Sequence, residues 1–182
     1  MEEHVPPGVL RQLPNVLTTL RLLAVPLFAA LVIAADGAES PAAAVVFAFA
    51  AVTDFLDGEL SRRLHAQSRY GRVLDPIADR LLIDVAVVLL WLDGRVPLLL
   101  VAIVLARDVL LLFSLLLGKG RGLGIRVNVV GKTGTLVTMI GLLLAMVTPP
   151  GAIATQIVLW VGVTLLVLGG LVYAHTLRRL HR

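Results

Sequence analysis

With 182 residues, 58% of them hydrophobic and only 15% charged, the chain is too apolar for an ordinary soluble domain. Its formal charge of +4 would suggest nucleic acid in a soluble protein. In a chain this apolar, Lys and Arg report membrane orientation first, so no nucleic-acid partner is expected. Cysteine is absent, which excludes disulfides, thiolate metal sites and cysteine nucleophiles together.

The opening Met1-Glu2-Glu3-His4-Val5-Pro6-Pro7 is acidic and broken by proline, unlike a cleaved signal peptide, so the amino terminus is expected to be retained. Leu13-Pro14-Asn15 reads as a turn, preceded by a short interfacial helix that includes Val9, Leu10 and Leu13. Six membrane spans follow at about 16–35, 42–58, 76–92, 96–117, 129–148 and 152–174, each near the apolar length a bilayer requires. Pro26 predicts a kink in the first span, and Trp91 an anchor at the membrane interface. The glycines at 141, 162, 169 and 170 read as close-packing points between helices. No internal repeat is visible, and residues 1–182 read as a single membrane domain.

The connections alternate in character. Those after the second and fourth spans carry Arg62, Arg63, Arg69, Arg72, Lys119, Arg121 and Arg126, and the tail adds Arg178, Arg179 and Arg182. In the other connections the only basic residue is Arg95. The positive-inside rule therefore places both termini and the two basic loops in the cytoplasm, which agrees with an even number of spans.

Four acids flank the first basic loop: Asp54 and Asp57 where the second span ends, Asp75 and Asp79 where the third begins. Residues three or four apart share one helix face, so each pair is a local couple. Four carboxylates brought together near hydrocarbon cannot all stay ionised without a cation. Oxygen donors with no cysteine or nearby histidine suit Mg²⁺, Mn²⁺ or Ca²⁺ rather than zinc. Four carboxylates are enough for two ions about 3.5–4 Å apart, as in two-metal phosphoryl transfer, so a phosphate-bearing substrate is implied. Gly58 leaves room for close backbone approach, as Gly71 could, and Arg62 can pair with phosphate. The bland reading is a set of surface ion pairs. A cation transporter is the rival use for intramembrane acids, but such sites lie near the midplane between repeated halves.

Asp54-Phe55-Leu56-Asp57-Gly58-Glu59-Leu60-Ser61-Arg62, followed at fixed intervals by Gly71, Asp75 and Asp79, resembles the signature of the CDP-alcohol phosphatidyltransferases, D-x2-D-G-x2-A-R-x8-G-x3-D-x3-D. One position departs from it, Ser61 standing for alanine. The resemblance implies an all-α membrane fold of six transmembrane helices, often homodimeric, around a polar cavity open to the cytoplasmic face and to lipid, in a bacterial plasma membrane. It also implies that Asp54, Asp57, Asp75 and Asp79 hold Mg²⁺ or Mn²⁺, that Asp79 is in addition the general base, and that Gly58, Arg62 and Gly71 line the CDP site. The implied reaction is attack by an acceptor hydroxyl on CDP-diacylglycerol with release of CMP.

Leu13-Pro14-Asn15-Val16-Leu17-Thr18-Thr19-Leu20-Arg21, Arg107-Asp108 and Gly131-Lys132-Thr133-Gly134-Thr135 are similar to the branch containing phosphatidylglycerophosphate synthases and cardiolipin synthases. The resemblance makes glycerol 3-phosphate the first acceptor and phosphatidylglycerol the alternative. Gly134 stands where synthases using glycerol 3-phosphate commonly carry a second lysine, and Arg107-Asp108-Val109-Leu110 looks more like a cardiolipin synthase. Arg107, Lys119, Arg121, Arg126 and Lys132 are candidate ligands for an acceptor phosphate. The plainer reading of Arg107-Asp108 is an ion pair between helices, and that of the others is topological charge.

Overall fold

The computed structural model describes the backbone of residues 8–64, 71–118 and 129–180, and the side-chain surroundings of residues 19–20, 22–53, 80–111 and 129–172. The described chain is all-helical. Its elements are α1 (Gly8–Ala35), α2 (Pro41–Leu64), α3 (Gly71–Leu92), α4 (Leu98–Gly118), α5 (Val129–Val147) and α6 (Ile153–Leu180). Among the described residues, Val129–Val147 and Ile153–Val172 are long and apolar enough to cross a membrane, and Leu22–Ala35 and Pro41–Thr53 are shorter apolar stretches.

The helix ends follow local chemistry. Ser40 precedes Pro41, the side-chain cap and first-turn proline that open many helices; its Oγ accepts the Ala43 N–H at 3.4 Å. The Ser40 N–H donates to Met146 O at 2.8 Å, tying the start of α2 to the end of α5. At the end of α3, Gly94 takes φ +68°, a conformation cheap only for glycine. The Arg95 N–H reaches back to Leu90 O at 2.8 Å and the Gly94 N–H to Trp91 O at 2.9 Å, the paired bonds of a Schellman cap.

Every helix contributes to one core. Val25, Phe28 and Val32 of α1 meet Ala43, Phe47 and Ala50 of α2, with Leu82, Ala86, Val87 and Leu90 of α3 beside them. The small residues of α2 let Phe28 and Phe47 pack with ring centroids 5.7 Å apart and planes tilted by 52°, a favourable aromatic geometry. Leu100 and Val104 of α4, Leu142 and Met146 of α5, and Leu159 and Val163 of α6 complete it.

The α5–α6 pair is held by close approach. A Cβ on Gly162 would stand 2.6 Å from Thr138 N, one on Gly141 would stand 2.8 Å from Leu159 Cδ2, and one on Gly134 would stand 2.7 Å from Leu166 N. Small residues at such seams bring helix backbones together where lipid supplies no hydrophobic drive. Gly141 and Gly162 thus fulfil the sequence expectation and Gly134 joins them. Gly170 does not: nothing lies within 4 Å of its Cβ position.

Other boundaries also differ from the sequence reading. The turn expected at Leu13-Pro14-Asn15 is absent; α1 runs through Pro14, and it also continues through Pro26, as a kinked helix would. No separate amino-terminal helix therefore forms. Each proline removes one N–H from the helical ladder and leaves the rest of it in place. The helix α2 runs beyond the predicted end at 58 to Leu64, and α3 begins at Gly71 rather than 76, because the polar residues there continue helical turns past the apolar stretches.

Arg95, the exception among the basic residues, is buried at 3% exposure. Its Nη1 donates to Ala145 O at 3.0 Å and Thr148 O at 2.7 Å, and its Nη2 to Gly37 O at 2.8 Å. Gln156 Nε2 donates to Arg95 O at 2.9 Å. One residue therefore joins the ends of α1, α3 and α5 to the start of α6, and its charge is spent on carbonyls rather than offered to solvent.

Candidate active site at the α2–α3 end

The helices place the motif on two ends that are consecutive in the chain. Asp54, Asp57, Gly58 and Arg62 lie on the last turns of α2; Gly71 opens α3, and Asp75 and Asp79 lie on its first turns. Their side chains fall outside the described residues. At 1.5 Å per residue, Asp54 and Asp57 stand about 15 and 10 Å before the end of α2, and Asp75 and Asp79 about 6 and 12 Å after the start of α3. Both pairs therefore occupy similar depths from the connected ends. The extension of both helices puts all seven matching positions on regular helix, where spacings of three and four hold residues on one face.

Below this level lies a described cluster of charge. Asp108 of α4 is 6% exposed. Its Oδ1 accepts from Arg80 Nη1 of α3 at 2.8 Å and from Arg107 Nη1 of α4 at 2.5 Å. Arg80 Nη1 also reaches the Asp108 carbonyl at 3.4 Å. Asp84, one turn beyond Arg80, has Asp108, Arg80 and Arg107 as electrostatic neighbours, and its Oδ1 is buried without a hydrogen-bond partner. Two arginines and two aspartates balance formally in a place where an unpaired charge is costly.

This arrangement refines the reading of Arg107-Asp108. The bond that crosses between helices is made by Arg80, while Arg107 is braced by its own neighbour. Sequence reasoning passed over Arg80 and Asp84. The signal was present: two ionisable residues four apart inside an apolar span form an expected helix pair that lipid makes expensive.

Of the other acceptor candidates, Lys132 is exposed on the first turn of α5. Thr133 and Thr135 beside it turn their hydroxyls back to Val129 O at 3.0 Å and Gly131 O at 3.1 Å. Gly134 faces α6, so Lys132 and Gly134 lie on different sides of α5. Lys119, Arg121 and Arg126 lie outside the described residues.

The donor chemistry fits hard divalent ions. Asp54, Asp57, Asp75 and Asp79 supply only oxygen. Among the described residues no other group of three or more acids, histidines or cysteines is placed to hold a metal. Asp84 and Asp108 share their surroundings with two guanidinium groups, which makes that cluster an unsuitable cation site.

Comparison with known proteins agrees with the motif. The family profile described as CDP-alcohol phosphatidyltransferase matches residues 11–168. A CDP-diacylglycerol–glycerol-3-phosphate 3-phosphatidyltransferase of Pseudomonas fluorescens is 49% identical over 43% of this chain, a stretch that spans 40% of that protein. A cardiolipin synthase (CMP-forming) of Streptomyces coelicolor is 36% identical over 93% of this chain and 84% of its own length. A CDP-diacylglycerol–glycerol-3-phosphate 3-phosphatidyltransferase of Rickettsia bellii is 30% identical over 88% of this chain and 92% of its own length.

Proposed function

The chain belongs to the CDP-alcohol phosphatidyltransferase family, and from that membership we propose that it synthesises a phospholipid by transferring the phosphatidyl group of CDP-diacylglycerol to an alcohol, with release of CMP. Glycerol 3-phosphate is the first acceptor, the substrate named for the Pseudomonas and Rickettsia relatives. The observation that supports the proposal is that the whole motif lies on regular helix, on the end of α2 and the start of α3 that follow one another in the chain.

In this reading all six helices span a membrane, both termini and the polar cavity face the cytoplasm, and the chain works as a homodimer. Asp79 takes the proton of the acceptor hydroxyl. The freed oxygen attacks the β-phosphorus, a new P–O bond forms, and the bond from that phosphorus to the oxygen of CMP breaks. Attack at phosphorus by the acceptor itself requires no covalent enzyme intermediate. Gly58 and Gly71 leave room for the nucleotide, and Arg62 pairs with its phosphates. Asp54, Asp57, Asp75 and Asp79 would hold two Mg²⁺ or Mn²⁺ ions, which offset the charge gathering on departing CMP.

A second acceptor, phosphatidylglycerol, is favoured by one structural observation. Gly134 packs against the backbone of Leu166 and leaves no room for any side chain, so no second cation stands two residues beyond Lys132 to hold a small phosphorylated acceptor. Incubating the purified chain with CDP-diacylglycerol and each acceptor, then identifying the lipid by mass spectrometry, separates the readings. Phosphatidylglycerophosphate supports the first and cardiolipin the second. CDP-diacylglycerol left intact with every acceptor would sink both.

A further inference from the structure

The α3 helix carries two polar pairs with different surroundings. At about 100° per residue, Asp75 and Asp79 lie some 40° apart around the helix, Arg80 and Asp84 likewise, and the two pairs are centred roughly 140° from one another. The second pair is directed to α4, where Arg80 is fastened to the buried carboxylate of Asp108. This contact lies one residue after Asp79 and away from the helix face that bears the motif.

We propose that Asp108 is a positioning residue: through Arg80 it sets the rotation of α3 about its own axis, and so the placement of the Asp75 and Asp79 carboxylates relative to those of Asp54 and Asp57 on α2. The proposal rests on the four-carboxylate metal site of the proposed function and assigns the cluster no ligand of its own. Two features give the contact this role. Arg80 bonds both the side chain and the carbonyl of Asp108, at 2.8 and 3.4 Å, so it is fixed to the backbone of α4 as well as to a side chain. Arg107 holds the same Oδ1 at 2.5 Å and limits the freedom of the Asp108 carboxylate to follow a rotating α3.

The lever is short and the consequence large. A carboxylate about 6 Å from the helix axis moves by about 2 Å for a rotation of about 20°. Misplacement by about 1 Å can cost about 10²-fold in rate. Among the described residues, the α3 side chains buried in the core are otherwise apolar, namely Leu82, Ile83, Ala86, Val87 and Leu90, and such contacts have little directional preference.

The test uses the full-length chain in detergent and reads Mn²⁺ affinity by electron paramagnetic resonance, with CMP release as the second readout. Asp108→Asn keeps the shape of the side chain and removes its charge. The expected result is roughly tenfold weaker Mn²⁺ binding and roughly a hundredfold slower turnover, with Asp108→Glu recovering part of both. Arg80→Gln should reproduce the Asn variant, and combining the two should add little, because both break one contact. Arg95→Gln provides the control for general destabilisation: its melting temperature falls while Mn²⁺ affinity stays at the parent value. Asp108→Asn with Mn²⁺ affinity within twofold of the parent overturns the proposal, whether turnover is kept or lost; turnover lost alone would put Asp108 on the acceptor instead. If Asp108→Asn fails to fold, the comparison passes to Arg80→Lys, which keeps the charge with a shorter reach; parent-like Mn²⁺ affinity in Arg80→Gln beside Arg80→Lys would equally overturn it. A parent chain that binds Mn²⁺ but releases no CMP refutes the transferase reading and leaves the metal arm of this test intact.

Discussion

Arg95→Ala should be among the most damaging single substitutions away from the motif. The guanidinium donates to three carbonyls, those of Gly37, Ala145 and Thr148, at 2.7 to 3.0 Å. Truncation removes three charge-assisted bonds, leaving one buried acceptor, Ala145 O, and two part-buried ones, Thr148 O and Gly37 O. A bond to a charged group contributes about 1.5–3 kcal/mol, and part of that sum is returned because the buried charge no longer has to be desolvated. A net loss on the order of 3 kcal/mol follows, since truncation leaves neutral carbonyls rather than an unpaired charge. For a chain of this size each kcal/mol shifts the melting temperature by about 2–4 °C, so a fall on the order of 10 °C is expected. Thermal unfolding of the detergent-solubilised protein, followed by size-exclusion recovery, measures it. Arg95→Lys should recover only part, since one ammonium cannot span three acceptors as the planar fork does. A melting temperature within about 2 °C of the parent for Arg95→Ala would show that the carbonyls find other partners, and the stapling argument would fail.

Gly162→Ala should lose about 1–3 kcal/mol by overpacking, because the new methyl would meet Thr138 N at 2.6 Å, whereas Gly170→Ala, facing open space, should melt no lower than the parent. Exhaustive chelation should abolish CMP release, with recovery on adding Mg²⁺ or Mn²⁺; full turnover in chelator would rule out metal-bound aspartates. Single cysteines in place of Ser68 and Lys119 should react with an impermeant thiol reagent only from the cytoplasmic side, and labelling of either from outside sealed cells would overturn the proposed orientation.

Much of the helical plan was legible because apolar length and turn chemistry leave few choices in lipid. Ser40-Pro41 and Gly94 carry local start and stop signals that the sequence reading did not single out, and the structure uses both. The motif was legible for a different reason: its seven matching positions keep fixed spacings that only regular helix turns into shared faces. What escaped was tertiary. Nothing local distinguishes Arg95 from any loop arginine; its role depends on carbonyls contributed by residues 37, 145 and 148. Gly134 was read as a missing lysine, but its place in the α5–α6 seam depends on where Leu165 and Leu166 pass. Pro14 was given too much weight as a turn signal, because a proline can cost a helix one N–H without ending it, and α1 continues through it. Arg80 and Asp84 were visible in the sequence but were overshadowed by the stronger motif beside them.

The central claim, that Asp79 performs the proton transfer within a carboxylate set that binds the nucleotide lipid, is tested most directly by Asp79→Asn. Asparagine keeps the size of aspartate and cannot take the proton. The measurement pairs turnover at saturating acceptor with CDP-diacylglycerol affinity by competition with CMP. General-base catalysis typically supplies 10²–10⁴-fold, so turnover should fall at least about a hundredfold on that scale. Affinity should fall much less, because Asp54, Asp57 and Asp75 remain, whereas Asp57→Asn should weaken both. Near-normal turnover in Asp79→Asn would contradict the account and move the base to another of the four acids or to a metal-bound hydroxide.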